Sequence, residues 1–348
     1  MISASTARCG ALVLGVAWLF SNGVVVDVRH ATSTLHAHQS SQASAGEPGE
    51  LEILQLRPNF YLIAGAGGHI ALQIGTDGVV VVDAGLAARA DAVVAAIKKI
   101  TAQPIRYVIN TSADPDHVGG NETLSKAGQS LFTALGPDSL PGNLREGAAS
   151  IIATDKVLAR MSAPSGQTAP FPQGAWPTET FDYPRKYMYL NGEGIEILHQ
   201  PAAHTDGDVV VFFRRSDVVV AGDILDTTRF PTINVARGGT INGEIAALNR
   251  LVELAIPSVP IVSREAGTLV IPGHGRVCDQ IDVVEYKDMV TIIRDRVRDL
   301  IDAGMSLEQV KAASPARGYT RRYGSDTGPW TTNQFVEAIY QTLPKEKR

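Results

Sequence analysis

Four short stretches place carboxylates and imidazoles at the ends of apolar runs. In residues 105–120, IRYVINTSADPDHVGG, a run of the kind that forms a buried strand gives way to Ser112, Asp114, Asp116 and His117 before the breaker pair Gly119-Gly120. Later stretches are QPAAHTDGD at 200–208, VAGD at 220–223 and IPGHG at 271–275, carrying His204, Asp223 and His274. Carboxylates and imidazoles at strand ends gather at one edge of a sheet, where burying them unpaired is expensive. A divalent cation would neutralise the charge and order the loops. An N/O donor set that leaves room for water is of the catalytic type, not the closed structural type.

The elements that must position these residues follow from periodicity. Residues 53–63, 69–74 and 79–82 read as strands, with Asp77-Gly78 supplying the positive φ angles of a hairpin turn. Residues 87–100 carry Val93, Val94, Ile97 and Ile100 at helical spacing, and Lys98-Lys99 sit favourably at the helix C-terminus. A helix is expected near Gly119, a strand over 130–135 and a helix over 154–161, where the charges from Asp155 to Arg160 read as a solvated face. Residues 162–184, rich in proline, read as a long loop that is either a lip over the site or a passive connector. Asn191-Gly192 between apolar runs is a strong hairpin signal. Strands over 209–213, 218–221 and 268–271 follow, with helices over 241–254, 281–303 and 332–343; Ser306 with Gln309 forms a capping box for another. Composition by itself says α/β.

The 105–120 stretch resembles the metal loop of the metallo-β-lactamase-fold hydrolases, whose pattern is T-H-x-H-x-D-H-x-G-G. Asp116, His117 and the two glycines match it, whereas Ser112 and Asp114 stand where that family has histidines. The runs at 75–85 and around His204, Asp223 and His274 resemble further family motifs, so the likeness spans about residues 55 to 280. The resemblance implies a four-layer αβ/βα sandwich. It also implies a metal set of Asp114, Asp116, His117, His204, Asp223 and His274, with Asp83 and Ser112 supporting it from behind. Asp116, His117, His274 and Asp223 would form one nearly complete site. The other site, left with Ser112, Asp114 and His204, holds either no ion or a weakly bound one. Asp116 would orient the attacking water and Asp114 would accept a proton, while Arg237 and His69 are candidates for substrate contact. The implied reaction is metal-dependent hydrolysis of an ester, lactone, lactam or thioester. The alternatives are an iron-dependent oxidoreductase of the same fold, or a member that binds a metal or ligand without catalysis. Zinc is the first choice of divalent metal; a carboxylate at position 114 hardens the site and admits iron or manganese.

With 348 residues, 44% hydrophobic and 19% charged, the chain has ample core. Its net charge of −5 gives no basic patch for nucleic acid, and a small-molecule substrate is expected. Arg8, the apolar run Ala11–Phe20 and the small residues after it read as a secretory signal within residues 1–28. The run falls short of the roughly 20 residues that span a bilayer, so the reading is an exported, periplasmic or secreted protein with no stable membrane contact after cleavage; an N-terminal anchor is the alternative. Residues 29–50 read as a disordered linker, 51–280 as the metallo-β-lactamase-like domain and 281–348 as a helical extension packed on it. His30, His36, His38 and His199 carry no assigned role, Cys278 lacks a nucleophile's partners, and oligomeric state is left open.

Overall fold

The valine-rich runs assemble into two sheets in a computed structural model that describes residues 50–131, 147–164, 166–258 and 267–344. The signal and linker expected over 1–49 lie outside the described residues. Residues 48–348 cluster as one unit.

The first sheet contains β1 (Glu52–Arg57), β2 (Phe60–Ala64), β3 (Ile70–Gly75), β4 (Gly78–Val82), β5 (Ile105–Ile109), β6 (Ser150–Thr154) and β7 (Glu179–Phe181), in that order. β1 to β4 run antiparallel, and β4 to β7 are parallel. The second sheet has the order β12 (Leu269–His274), β11 (Val218–Asp226), β10 (Asp208–Phe213), β9 (Glu193–Gln200) and β8 (Arg185–Leu190). Only its β11–β12 pair is parallel. These directions bring the C-terminal ends of β4 and β5 to one edge of the first sheet, and those of β11 and β12 to one edge of the second.

Helices cover both outer faces. α1 (Ala90–Ile100), α2 (Pro115–Val118), α3 (Asn121–Ala127) and α4 (Asp155–Met161) belong to the first half. α5 (Ile241–Leu254), α6 (Gln280–Asp302), α7 (Leu307–Ala312), α8 (Thr320–Tyr323) and α9 (Thr332–Thr342) belong to the second. Among the described residues, the three larger apolar cores follow from this layering. Val80, Val82, Ile152, Val209, Val211 and Phe213 lie between the sheets. Val81, Val93, Ile97 and Leu124 join the first sheet to α1 and α3. Val210, Val219, Leu248, Val290 and Ile339 join the second sheet to α5, α6 and α9. Successive strand residues alternate between these cores, Val80 and Val82 facing one and Val81 the other, as a sheet buried on both faces requires. The result is the four-layer αβ/βα sandwich. Phe60 and Phe213, both fully buried, meet edge to face with centroids 4.9 Å apart across the central core.

Several boundaries differ from expectation for identifiable reasons. The run 53–63 splits into β1 and β2 because the chain turns at Pro58-Asn59. The strand expected over 130–135 is not found: Ser130 and Leu131 are outside any strand, and 132–135 lie outside the described residues. The place beside β5 is taken by β6, whose SIIAT sequence runs straight into α4, with the Thr154 side chain accepting from Val157 N. The 162–184 loop contains a short 3-10 turn and β7, which extends the first sheet. The Ser306/Gln309 capping box is present in both halves, and α6 closes before Gly304 with φ +79°. Among the described residues, no helix is long and apolar enough to cross a membrane.

Candidate metal centre

The site begins where β4 and β5 end. Asp83 leaves β4 with φ +65°, a left-handed conformation that aspartate tolerates better than most residues. So turned, its buried carboxylate accepts from Thr111 N and Thr111 Oγ1, each at 2.7 Å. The same carboxylate lies 2.7 Å from His117 Nδ1. Nδ1 therefore carries a proton toward Asp83, and Nε2 faces the other way, toward Asp223. His117 sits in α2, begun by Pro115 at its first helical position. Gly120 lets this short helix press on the β4 end, since a Cβ there would lie 2.2 Å from Ala84 O.

The second sheet contributes the facing donors. Asp223 Oδ1 is 3.1 Å from His117 Nε2 and 3.5 Å from His274 Nε2. Asp116 Oδ2 lies 3.1 Å from His274 Nε2, and the His117 and His274 rings stand nearly perpendicular with centroids 6.1 Å apart. Gly273 allows the β12 end to close on Asp223, since a Cβ there would fall 2.5 Å from Asp223 Oδ1. On the adjoining side, His204 Nε2 is 3.4 Å from Asp114 Oδ2, and His204 Nδ1 is 3.5 Å from Asp208 Oδ1. Asp208, through this close contact and its charge, is the main neighbour favouring protonation of His204. Asp208 itself is held by Thr205 N and Thr205 Oγ1, both at 2.6 Å.

Burial opposes charge on every one of these rings, yet neighbouring carboxylates prevail. The His117 ring is fully buried, but Asp223 and Asp83 hold its pKa well above the ordinary value. Burial also opposes protonation of His204, but Asp208, Asp223 and Asp114 raise it to about 9. His274 is raised against its burial by Asp116 and Asp223. Burial would push the Asp116 and Asp223 carboxyls up, but the surrounding imidazoles bring both below the usual carboxylate range. This is a field that attracts positive charge. His117 Nε2 gives the clearest test of what could satisfy it. It is fully buried and close to Asp223, yet it makes no hydrogen bond among the described residues. A buried imidazole nitrogen with no hydrogen-bond partner, beside two carboxylates that favour positive charge there, fits a metal ion taking the place of its proton.

Two triads have ligand atoms within 4.8 Å of one another: Asp116, His117 and His274, and Asp114, His204 and Asp223. Asp223, expected with the first group and in a motif resembling one whose aspartate bridges two metals, reaches both imidazoles of that group while completing the second, so it stands at their junction. Ser112 is buried, its Oγ accepting from Asp114 N at 3.2 Å. Arg237 does not wait free for a substrate: its Nη1 donates to Asp114 Oδ1 at 2.6 Å. His69 donates from Nδ1 to Pro272 O at 2.9 Å, and burial lowers its pKa, leaving a neutral ring beside His274 and His117.

Two functional neighbours escaped the sequence reading. Arg160, expected on a solvated face, is mostly buried. It donates to Asp206 and to Thr205 Oγ1, and to Arg237 O at 2.8 Å, tying the His204 turn to the Arg237 loop. Glu244 in α5 is fully buried near Asp208 and His204, and neither carboxylate oxygen has a hydrogen-bond partner among the described residues.

The two sandwiched sheets are matched by solved structures. A metallo-beta-lactamase from Pontibacter korlensis superposes with TM-score 0.51 at 17% identity, covering 69% of this chain and 99% of that one. The chain has the metallo-β-lactamase fold. The metallo-beta-lactamase superfamily model matches residues 59–130, the segment that carries Asp83 and the 112–117 loop. A stereoselective inverting sec-alkylsulfatase from Pseudomonas sp. superposes with TM-score 0.55 at 15% identity, over 85% of this chain and 51% of that one. In sequence, a linear primary-alkylsulfatase from Pseudomonas sp. is 23% identical over 294 residues, 76% of this chain. This chain spans 53% of that enzyme's length. Relatives of the metallo-β-lactamase fold thus include hydrolases of different bonds.

Proposed function

We propose that this chain is a metal-dependent hydrolase of ester-type bonds, carboxylic or sulfuric, with lactone, lactam and thioester bonds in the same reach. The observation that carries the reading is the buried, unpartnered His117 Nε2, held in place by Asp83 and facing Asp223 beside Asp116 and His274. Those four residues would hold the ion, zinc first by their imidazole and carboxylate chemistry. When bound, the ion would lower the pKa of water toward neutrality and polarise the bond to be cleaved.

The protein's own groups divide the remaining work. Asp116 is ionised at neutral pH and partly exposed, so it can orient a water and take its proton. Asp114 has one oxygen on Arg237 and the other toward His204, so it is read as a positioning group instead of the base. Neutral His69 lines the His274 side. Sulfate esters enter the reading because two of the matched proteins are alkylsulfatases.

The test is a screen of carboxylic esters, lactones, thioesters, β-lactams and alkyl sulfates, using protein purified without chelator and Asp116→Ala as control. Turnover lost in the variant supports the proposal. Turnover equal in both rejects the mechanism. Bound iron with oxygen consumption would instead favour an oxidoreductase, and bound metal without turnover a non-catalytic protein.

A further inference from the structure

The two donor triads are not equivalent. The Asp116–His117–His274 face has a buried imidazole nitrogen with no hydrogen-bond partner among the described residues, whereas the Asp114–His204 face already contains a fixed cation. Arg237 Nη1 donates to Asp114 Oδ1 at 2.6 Å, while the other oxygen of that carboxylate faces His204 Nε2. An ion bound to Asp114, His204 and Asp223 would therefore lie across a single carboxylate group from a guanidinium. Like charges so placed repel strongly in a partly buried site. Ser112, the other residue of that side, adds little as a donor, because its Oγ already accepts from Asp114 N.

Arg237 is not a loose surface arginine that an ion could displace at little cost. Its backbone N donates to Asn234 Oδ1, and its carbonyl accepts from both Arg160 Nη2 and Asp206 N. Gly238 follows with φ +82°, packed so that a Cβ would lie 2.9 Å from Asp206 Cβ. Gly239 is pressed onto His204, with a Cβ position 2.2 Å from His204 O. The loop that carries the guanidinium is thus fastened to the His204 turn it faces.

We infer that the centre takes one metal ion, on the Asp116–His117–His274 face with Asp223, and that the Arg237 guanidinium permanently supplies the positive charge of the missing second ion. This rests on the hydrolase reading above. The arginine side chain is 42% exposed, so beyond Asp114 it can also donate to an anionic or carbonyl oxygen of a substrate lying over the site. The serine and aspartate at positions 112 and 114 are then matched to the arginine, and the three form one substitution for a metal site.

The test is metal stoichiometry, read by zinc titration calorimetry and native mass spectrometry on chelator-stripped protein and independent of turnover. Circular dichroism confirms that each variant is folded. Wild-type protein is expected to take one equivalent, lost in Asp116→Ala and kept in Asp114→Asn. Arg237→Met is expected to admit a second equivalent, with second-site affinity raised about tenfold or more by removal of the like charge. Adding Ser112→His and Asp114→His to that variant should tighten it further. Two wild-type equivalents of comparable affinity would overturn the inference. So would a single equivalent that survives Asp116→Ala but vanishes in Asp114→Asn, or an Arg237→Met protein that stays at one. Folded wild-type protein that binds none would refute the metal centre itself, a failure distinct from these.

Discussion

Asp83→Asn isolates the role of a residue that touches neither solvent nor substrate. The aspartate fixes the His117 tautomer: Nδ1–H points at Oδ2, so Nε2 is left as a lone pair. Asparagine is nearly the same shape and also tolerates the φ of +65° at this position. Its Oδ1 can keep the bond from Thr111 N, and the Thr111 hydroxyl can turn to accept from the amide. The amide nitrogen must then donate to His117 Nδ1, which moves the ring proton to Nε2 and caps the lone pair meant for the ion. Loss of such a carboxylate behind a ligating histidine weakens metal binding by about 10- to 100-fold, or about 1.4–2.7 kcal/mol. Asp83→Ala would be a poorer probe, because it removes every bond to the Asp83 carboxylate and leaves alanine at positive φ, mixing unfolding with metal loss. The assay is zinc competition against a chromophoric chelator, with a denaturation curve on the metal-free protein. A folded Asp83→Asn protein whose zinc affinity lies within about twofold of wild type, far below the loss expected for this residue, would refute the tautomer argument.

Arg160→Met keeps the aliphatic stem but removes the bonds to Asp206, Thr205 and the Arg237 carbonyl. It should lower stability by about 1–2 kcal/mol and speed amide exchange at Asp206 and Gly239; unchanged exchange there would mean that the clamp is idle. Gly120→Ala drives a methyl against Ala84 O, so it should cost about 3 kcal/mol in chemical denaturation and displace His117 enough to weaken metal binding. For Cys278, burial pushes the thiol up from 9.0 to about 12. The folded state therefore holds its proton more tightly than the unfolded state. The stability this contributes is complete below about pH 9 and declines as the pH rises toward 12. Native protein at pH 8 should accordingly resist alkylation at the peptide containing Cys278, which should label readily in denaturant; fast native labelling would contradict the buried thiol.

The residues that could be located from the chain alone were those at the ends of apolar runs. His117 and His204 come after strands that periodicity can identify, Asp223 and His274 lie near the C-terminal ends of two more, and strand direction brings these ends to one edge. What escaped was information carried by side-chain direction across long separations. Arg160 looks like any other charge on an amphipathic helix until the His204 turn, 45 residues on, is folded against it. Arg237 and Asp114 are 123 positions apart, and neither type nor spacing announces the pair. Glu244 lies on the apolar face of α5 by spacing, three after Ile241 and four before Leu248, but its residue type reads as a surface charge until α5 is packed on β11. β6 was missed because its few apolar residues merge with the start of α4, leaving no turn to mark the boundary.

The central claim is that His117, His274, Asp116 and Asp223 enclose a cation. Crystals grown with zinc and measured on both sides of its absorption edge test it directly. The account predicts an anomalous peak about 2.0–2.1 Å from His117 Nε2 and from His274 Nε2, the usual zinc–nitrogen distance, with Asp116 and Asp223 beside it. Both rings in the positions described here with no peak between them, or a peak bound elsewhere in the chain, would contradict it.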